Sequence, residues 1–151
     1  MTGGDVFDEP IDPDLEPEAE RHRPDVLIAI AFGGAIGALA RYEVGLQWPA
    51  RSGAFPTTTF LVNSSGALLI GLLMVLIVER WSSPRLARPF LCIGLLGAWT
   101  TMSTFVTEAD LLVRNGSTLT ALAYVVATIV TGLAATGIGI VCARRLARVA
   151  T

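Results

Sequence analysis

The chain alternates long apolar runs with short polar ones, and the spacing predicts four helices that cross a membrane. Runs near residues 26–46, 57–78, 89–113 and 119–143 are each long enough, because a bilayer core needs about 20 helical residues. Pro24 and Asp25 open the first run, Trp48 and Pro49 close it, and residues 49–56 form a turn-rich loop. Glu79, Arg80 and Trp81 end the second run at an interface, and residues 115–117 turn the chain between the third and fourth. The pattern is that of an all-α, polytopic membrane protein.

Within the runs, small and polar residues break the apolar monotony. Gly33 and Gly37 form a GxxxG pair with Ala40 near the same face, a spacing that lets a neighbouring backbone approach closely. In the fourth run Thr128, Gly132 and Thr136 recur every four residues, as do Thr131, Ala135 and Gly139, giving a broad small-residue face. The third run is the unusual one. Thr100, Thr101, Ser103 and Thr104 fall within five residues, just after Gly97. A hydroxyl in an apolar helix either bonds back to its own helix, which weakens the ladder, or offers a polar group to something else. The expectation is a third helix broken at its centre, exposing carbonyls that only protein or a water-filled cavity tolerates.

Other polar residues extend this set. Asn63 carries an amide that must find partners: it either glues two helices together or donates two hydrogen bonds to a passing anion. Arg41, near the end of the first run, either reaches the headgroups or forms the cationic mouth of an anion path. Met102 and Phe105 share a helix face with Glu108 a turn further on, and Thr104 and Glu108 are neighbours. Tyr124 and Thr128, one turn apart, form either a short hydroxyl track or part of a packing face.

Composition sharpens the picture. The chain is 52% hydrophobic and 16% charged, against roughly 45–50% and about 25% in soluble proteins. Nine of the 13 acidic residues lie in the first 25 positions, together with Pro10, Pro13, Pro17 and Pro24. That stretch, residues 1–25, is expected to be a disordered acidic tail. It lacks a cationic leader region, so the first run is expected to stay in the mature protein. Beyond it nine arginines face four carboxylates, a net of +5, and the C-terminal end, residues 147–151, is basic. With four spans, eight loop and terminal arginines fall on one side and two, Arg51 and Arg114, on the other. Both termini are therefore expected in the cytoplasm, with the chain in the inner (plasma) membrane. Cys92 and Cys142 sit in apolar runs without metal-ligand spacing, and His22 is alone in the tail. No nucleophile–base pair, phosphate loop or metal cluster appears, which argues against an enzyme, and nothing calls for a nucleic-acid partner.

Three stretches, GGAIGALARY (33–42), TTTFLVNSSGALLIG (57–71) and GLLGAWTTMSTF (94–105), resemble the signature stretches of the small bacterial fluoride channels, the Fluc or CrcB family. The resemblance covers about residues 26–146. It implies an antiparallel, inverted dimer with two pores that passes fluoride out of the cytoplasm. It also implies a pore lined by Asn63, Met102, Ser103, Thr104, Phe105, Tyr124 and Thr128, with Arg41 in a vestibule. The carbonyls of Gly97 and Thr100 would hold a structural Na+ at the dimer interface. The family's TTFSTF reads TTMSTF here, so Met102 replaces a ring, and the arginine bias is stronger than in members that insert both ways. A heterodimer with a homologous subunit of opposite orientation, one of its pores degraded, accounts for both departures; a homodimer is the simpler assembly. The competing reading is a small four-span proton-coupled multidrug exporter. That class needs a carboxylate near the midplane of the first span, and Glu43 lies too near its end. A non-transporting scaffold would not require the hydroxyl cluster.

Overall fold

The computed structural model describes residues 23–77 and 85–149, so most of the acidic stretch, the interface residues Glu79, Arg80 and Trp81, and the last two positions lie outside the described residues. Four candidate membrane-spanning segments follow one another: helix α1 (Pro24–Gln47), helix α2 (Thr57–Val75), a composite third segment (Arg88–Arg114) and helix α4 (Thr118–Val149). The third segment comprises a π-helical stretch (Arg88–Leu96), a single helical turn (Gly97–Trp99) and helix α3 (Met102–Arg114). No strand occurs among the described residues. α4 runs past the expected end near 143 and carries Arg144 and Arg145 on the helix itself, since arginine is a good helix former and no breaker intervenes.

Apolar side chains face outward along the spans. Leu119 and Leu133 are 80% and 73% exposed, as expected where lipid rather than protein is the apolar solvent. What holds the helices together is backbone proximity. α1 packs on the π-helical stretch and α2 on α4, and each seam is built from glycines. A Cβ at Gly37 would lie 2.1 Å from the Leu95 carbonyl oxygen, and one at Gly94 would lie 2.5 Å from that of Ile30. On the second seam, Gly71 faces the Thr136 carbonyl and Gly139 that of Leu68, at 2.4 and 2.3 Å. The Gly33–Gly37 pair and the Thr136–Gly139 part of the α4 face are thus in helix contact, whereas Gly132 meets nothing within 4 Å.

The one aromatic cluster among the described residues sits at the end of the bundle nearer the 49–56 loop. Tyr124 is fully buried, with Phe55, Phe60 and Phe105 against it or its neighbours. Phe55 meets Tyr124 edge-on at 5.2 Å and Phe105 meets it tilted at 5.1 Å, geometries that favour ring pairs.

Gly37→Ala is expected to lower apparent thermal stability in detergent sharply, by roughly 1–3 kcal/mol or more, because backbone cannot move aside for a methyl. Gly45→Ala on the same helix, with nothing within 4 Å, is expected to be neutral or stabilising by about 0.5–1 kcal/mol in this chain.

Candidate functional site

The third segment loses its helical backbone at two threonines. Gly97 is still helical (φ −63°, ψ −34°), but Thr100 (φ −75°, ψ 157°) and Thr101 (φ −146°, ψ 121°) are extended, and α3 restarts at Met102. The local sequence explains the restart. Thr101 is the N-cap of α3, its hydroxyl accepting the Thr104 N–H at 3.2 Å and thereby satisfying one of the helix's orphan donors. Thr100 uses its own hydroxyl on the Leu96 carbonyl at 3.0 Å. Two of the four clustered hydroxyls therefore serve the backbone, while Ser103 is exposed, its Oγ 3.2 Å from the Thr101 hydroxyl.

Side chains from both flanking helices hold the interrupted backbone. Asn63 on α2 bonds Thr101 twice: its Oδ1 accepts the Thr101 N–H at 2.8 Å and its Nδ2 donates to the Thr101 carbonyl at 3.0 Å. Arg41 on α1 donates from Nε to the Ala98 carbonyl at 3.0 Å. The Trp99 indole N–H donates to Ser65 Oγ at 3.0 Å. Among the described residues, no donor reaches the carbonyl oxygens of Gly97, Trp99 or Thr100. A set of free carbonyl oxygens, with neighbouring carbonyls already committed elsewhere, suits a hard cation rather than an anion.

Two clefts flank the interruption. One, of about 300 Å³, is lined by Asn63, Gly66, Thr100, Thr101, Met102, Phe105 and Thr128. Here Thr128 Oγ1 is buried with no hydrogen-bond partner, as is Ser64 Oγ elsewhere on α2. A buried hydroxyl without a partner is an exception that calls for a ligand or a local rearrangement. Met102 is 73% exposed, so this cleft is open on its α3 side. The other, of about 370 Å³, is lined by Arg41, Tyr42, Thr59, Thr101, Thr104 and Glu108 among others. Thr101 borders both.

The structure thus gathers Asn63, Thr100, Met102, Phe105 and Thr128 in one cleft and Arg41 with Thr104 in the other. Tyr124 is not in the cleft of Thr128. Its hydroxyl donates to Glu108 Oε2 at 2.9 Å, while Thr59 donates to Glu108 Oε1 at 2.9 Å. Glu108 also borders a further cavity of about 260 Å³ beneath the loop that carries Arg51. This Thr59–Glu108–Tyr124 knot escaped the sequence reading. The signal was present, since a carboxylate within a membrane span must find donors, but nothing in the sequence paired it with residues of two other helices.

The family model for CrcB-like protein, Camphor Resistance (CrcB), matches residues 28–140. A protein of Streptomyces avermitilis named fluoride-specific ion channel FluC 3 is 45% identical over 124 residues, covering 82% of this chain and 61% of that relative. FluC 2 of Nocardia farcinica is 45% identical over 121 residues, covering 80% of this chain and 86% of the relative. FluC of Saccharophagus degradans is 41% identical over 119 residues, covering 79% and 90%. The matched region contains α2, the interrupted third segment and most of α1 and α4, and the chain belongs to the CrcB-like protein family.

Proposed function

We propose that this chain is a subunit of a passive fluoride channel that lets the ion leave the cytoplasm and so limits its toxicity. The carrying observation is the cleft lined by Asn63, Phe105 and Thr128, beside which the Thr128 hydroxyl is buried without a partner; relatives named fluoride-specific channels point the same way. Fluoride is small and strongly hydrated, so a path must replace water with other donors while binding weakly enough to release. Thr128 supplies a hydroxyl. The Asn63 amide nitrogen has two hydrogens, of which the Thr101 carbonyl takes one, leaving the second for the ion. Phe105 supplies a positively polarised ring edge. Ser103 and Thr104 add hydroxyls at the start of α3, and Tyr124 acts through its hold on Glu108.

The cleft of a single chain is open beside Met102, which supports a second subunit closing it. We take that subunit to lie antiparallel in the inner membrane, this chain having both termini in the cytoplasm as the arginine bias predicts. The carbonyls of Gly97 and Thr100 fit a structural Na+ at the subunit interface. When bound, the ion would supply a positive charge that neutralises the facing carbonyl dipoles. A thioether at Met102 presents no ring edge, and with the one-sided arginines this favours a heterodimer with a homologous subunit of opposite orientation.

The test is fluoride efflux from proteoliposomes followed with a fluoride-selective electrode, with chloride as the control. Fluoride efflux without matching chloride efflux is expected; equal release of both ions, or movement of cationic dyes instead, overturns the reading in favour of a nonselective pore or an exporter. Robust efflux from this chain alone identifies a homodimer, and efflux only after adding a homologous subunit a heterodimer.

Thr128→Val removes the hydroxyl at constant shape. It is expected to leave thermal stability unchanged or higher, because the hydroxyl is buried without a partner, yet to lower fluoride flux about tenfold or more, the equivalent of one hydrogen bond to a charged group. Met102→Phe is expected to raise flux in the same assay.

A further inference from the structure

We infer that Arg41 is a positioning residue, which acts through its Nε–H on the Ala98 carbonyl and not through its charge on the passing ion. The inference rests on the channel reading for its functional consequence, but the geometry is independent of it. Arg41 lies one helical turn beyond Gly37 and two beyond Gly33. Those glycines fix α1 against the third segment at backbone contact, since a Cβ at Gly33 would lie 2.3 Å from the Phe90 carbonyl oxygen and one at Gly37 2.1 Å from that of Leu95. The same face therefore delivers Arg41 to the helical turn just before the interruption, where Nε meets the Ala98 oxygen at 3.0 Å across 57 residues of sequence.

What this contact does follows from the neighbouring carbonyls. An α-helical turn at Ala98 would give its carbonyl to the N–H of Met102, but the extended Thr100 and Thr101 remove that donor. A freed carbonyl inside a membrane must find another partner. Arg41 takes Ala98 and Asn63 takes Thr101, so the free carbonyls are confined to Gly97, Trp99 and Thr100. By holding Ala98 turned toward α1, Arg41 sets the direction in which Gly97 and Thr100 present their oxygens. The arginine thus sorts carbonyls into committed and available ones.

Two substitutions separate this role from electrostatic attraction. Glutamine places an N–H donor at the same number of bonds from the backbone as arginine Nε and carries no charge. Lysine keeps the charge but puts a methylene where Nε stands. If Arg41 positions through Nε, Arg41→Gln keeps the function and Arg41→Lys loses it. If it attracts anions, the order reverses.

The first readout is hydrogen exchange by mass spectrometry on peptides covering residues 96–105 of the purified full chain, which needs no assumption about transport. Exchange there is expected to quicken about five- to tenfold in Arg41→Lys, the loss of roughly one hydrogen bond, and to stay within about twofold of wild type in Arg41→Gln. The second readout is stabilisation by NaCl relative to N-methylglucamine chloride, which is expected to survive in Arg41→Gln and to weaken in Arg41→Lys. The third is fluoride efflux, expected to fall about tenfold more in Arg41→Lys than in Arg41→Gln, since tenfold corresponds to about 1.4 kcal/mol. The reverse order in exchange or efflux, or the same behaviour in both variants, overturns the inference. Should Arg41→Lys not fold, replacement of residue 99 by its α-hydroxy acid in the wild-type background weakens the Ala98 carbonyl as acceptor. It must then quicken exchange in the same peptides, and unchanged exchange overturns the inference. The predicted exchange pattern in a protein whose wild type passes no fluoride would retain the positioning role and refute the channel reading alone.

Discussion

The double hydrogen bond between the Asn63 amide and the backbone of Thr101 is the contact on which the middle of this molecule depends. Two extended residues inside a membrane span strand donors and acceptors that lipid cannot satisfy. Asn63 answers with one acceptor and one donor at a spacing that matches a peptide group, at 2.8 and 3.0 Å, much as a neighbouring strand would. The interruption is therefore tied to α2 at a defined height. Thr101 in turn caps α3, so a single residue is fixed from outside by an amide and itself fixes the helix that follows.

That arrangement works only because the scaffold around it is close-packed at the main chain. The seams at Gly37–Leu95 and Gly71–Thr136 bring backbones together where side chains would have kept them apart, and dispersion rather than water exclusion rewards such proximity in lipid. Close approach also explains why short polar side chains suffice across the bundle. Thr59 reaches Glu108 and Ser65 reaches the Trp99 indole, although each spans the gap between two different helices. The carboxylate of Glu108 is shared by donors from α2 and α4, so it links three elements at the end of the bundle where the aromatic cluster sits.

Much of this was legible in the residues. Four apolar runs gave the number of crossings, and the GxxxG spacing of Gly33 and Gly37 pointed to a helix seam that the structure contains. The hydroxyl cluster marked the unusual segment. Its finer meaning was not legible, because the same threonine can cap a helix, bond back along it or stay buried without a partner, and only three-dimensional placement distinguishes these. Thr100, Thr101 and Thr128 turn out to do one of each. Asn63 was read as either helix glue or anion donor; its two bonds to Thr101 make it glue and leave one hydrogen over. Tyr124 and Thr128 share a helix face in the sequence, yet a difference of one turn sends their hydroxyls to separate surroundings. Glu108 was invisible as a partner because pairing across helices has no periodicity along the chain.

The π-helical stretch from Arg88 to Leu96 has a further consequence. Its wider turns hold more residues than an α-helix of equal length, so the segment stores surplus chain ahead of the interruption. Drawing one residue out of that store would tighten the coil and swing everything downstream by about a quarter-turn, carrying Gly94 off its seat against Ile30. The angular setting of the threonines relative to α1 is therefore decided several residues before the chain reaches them.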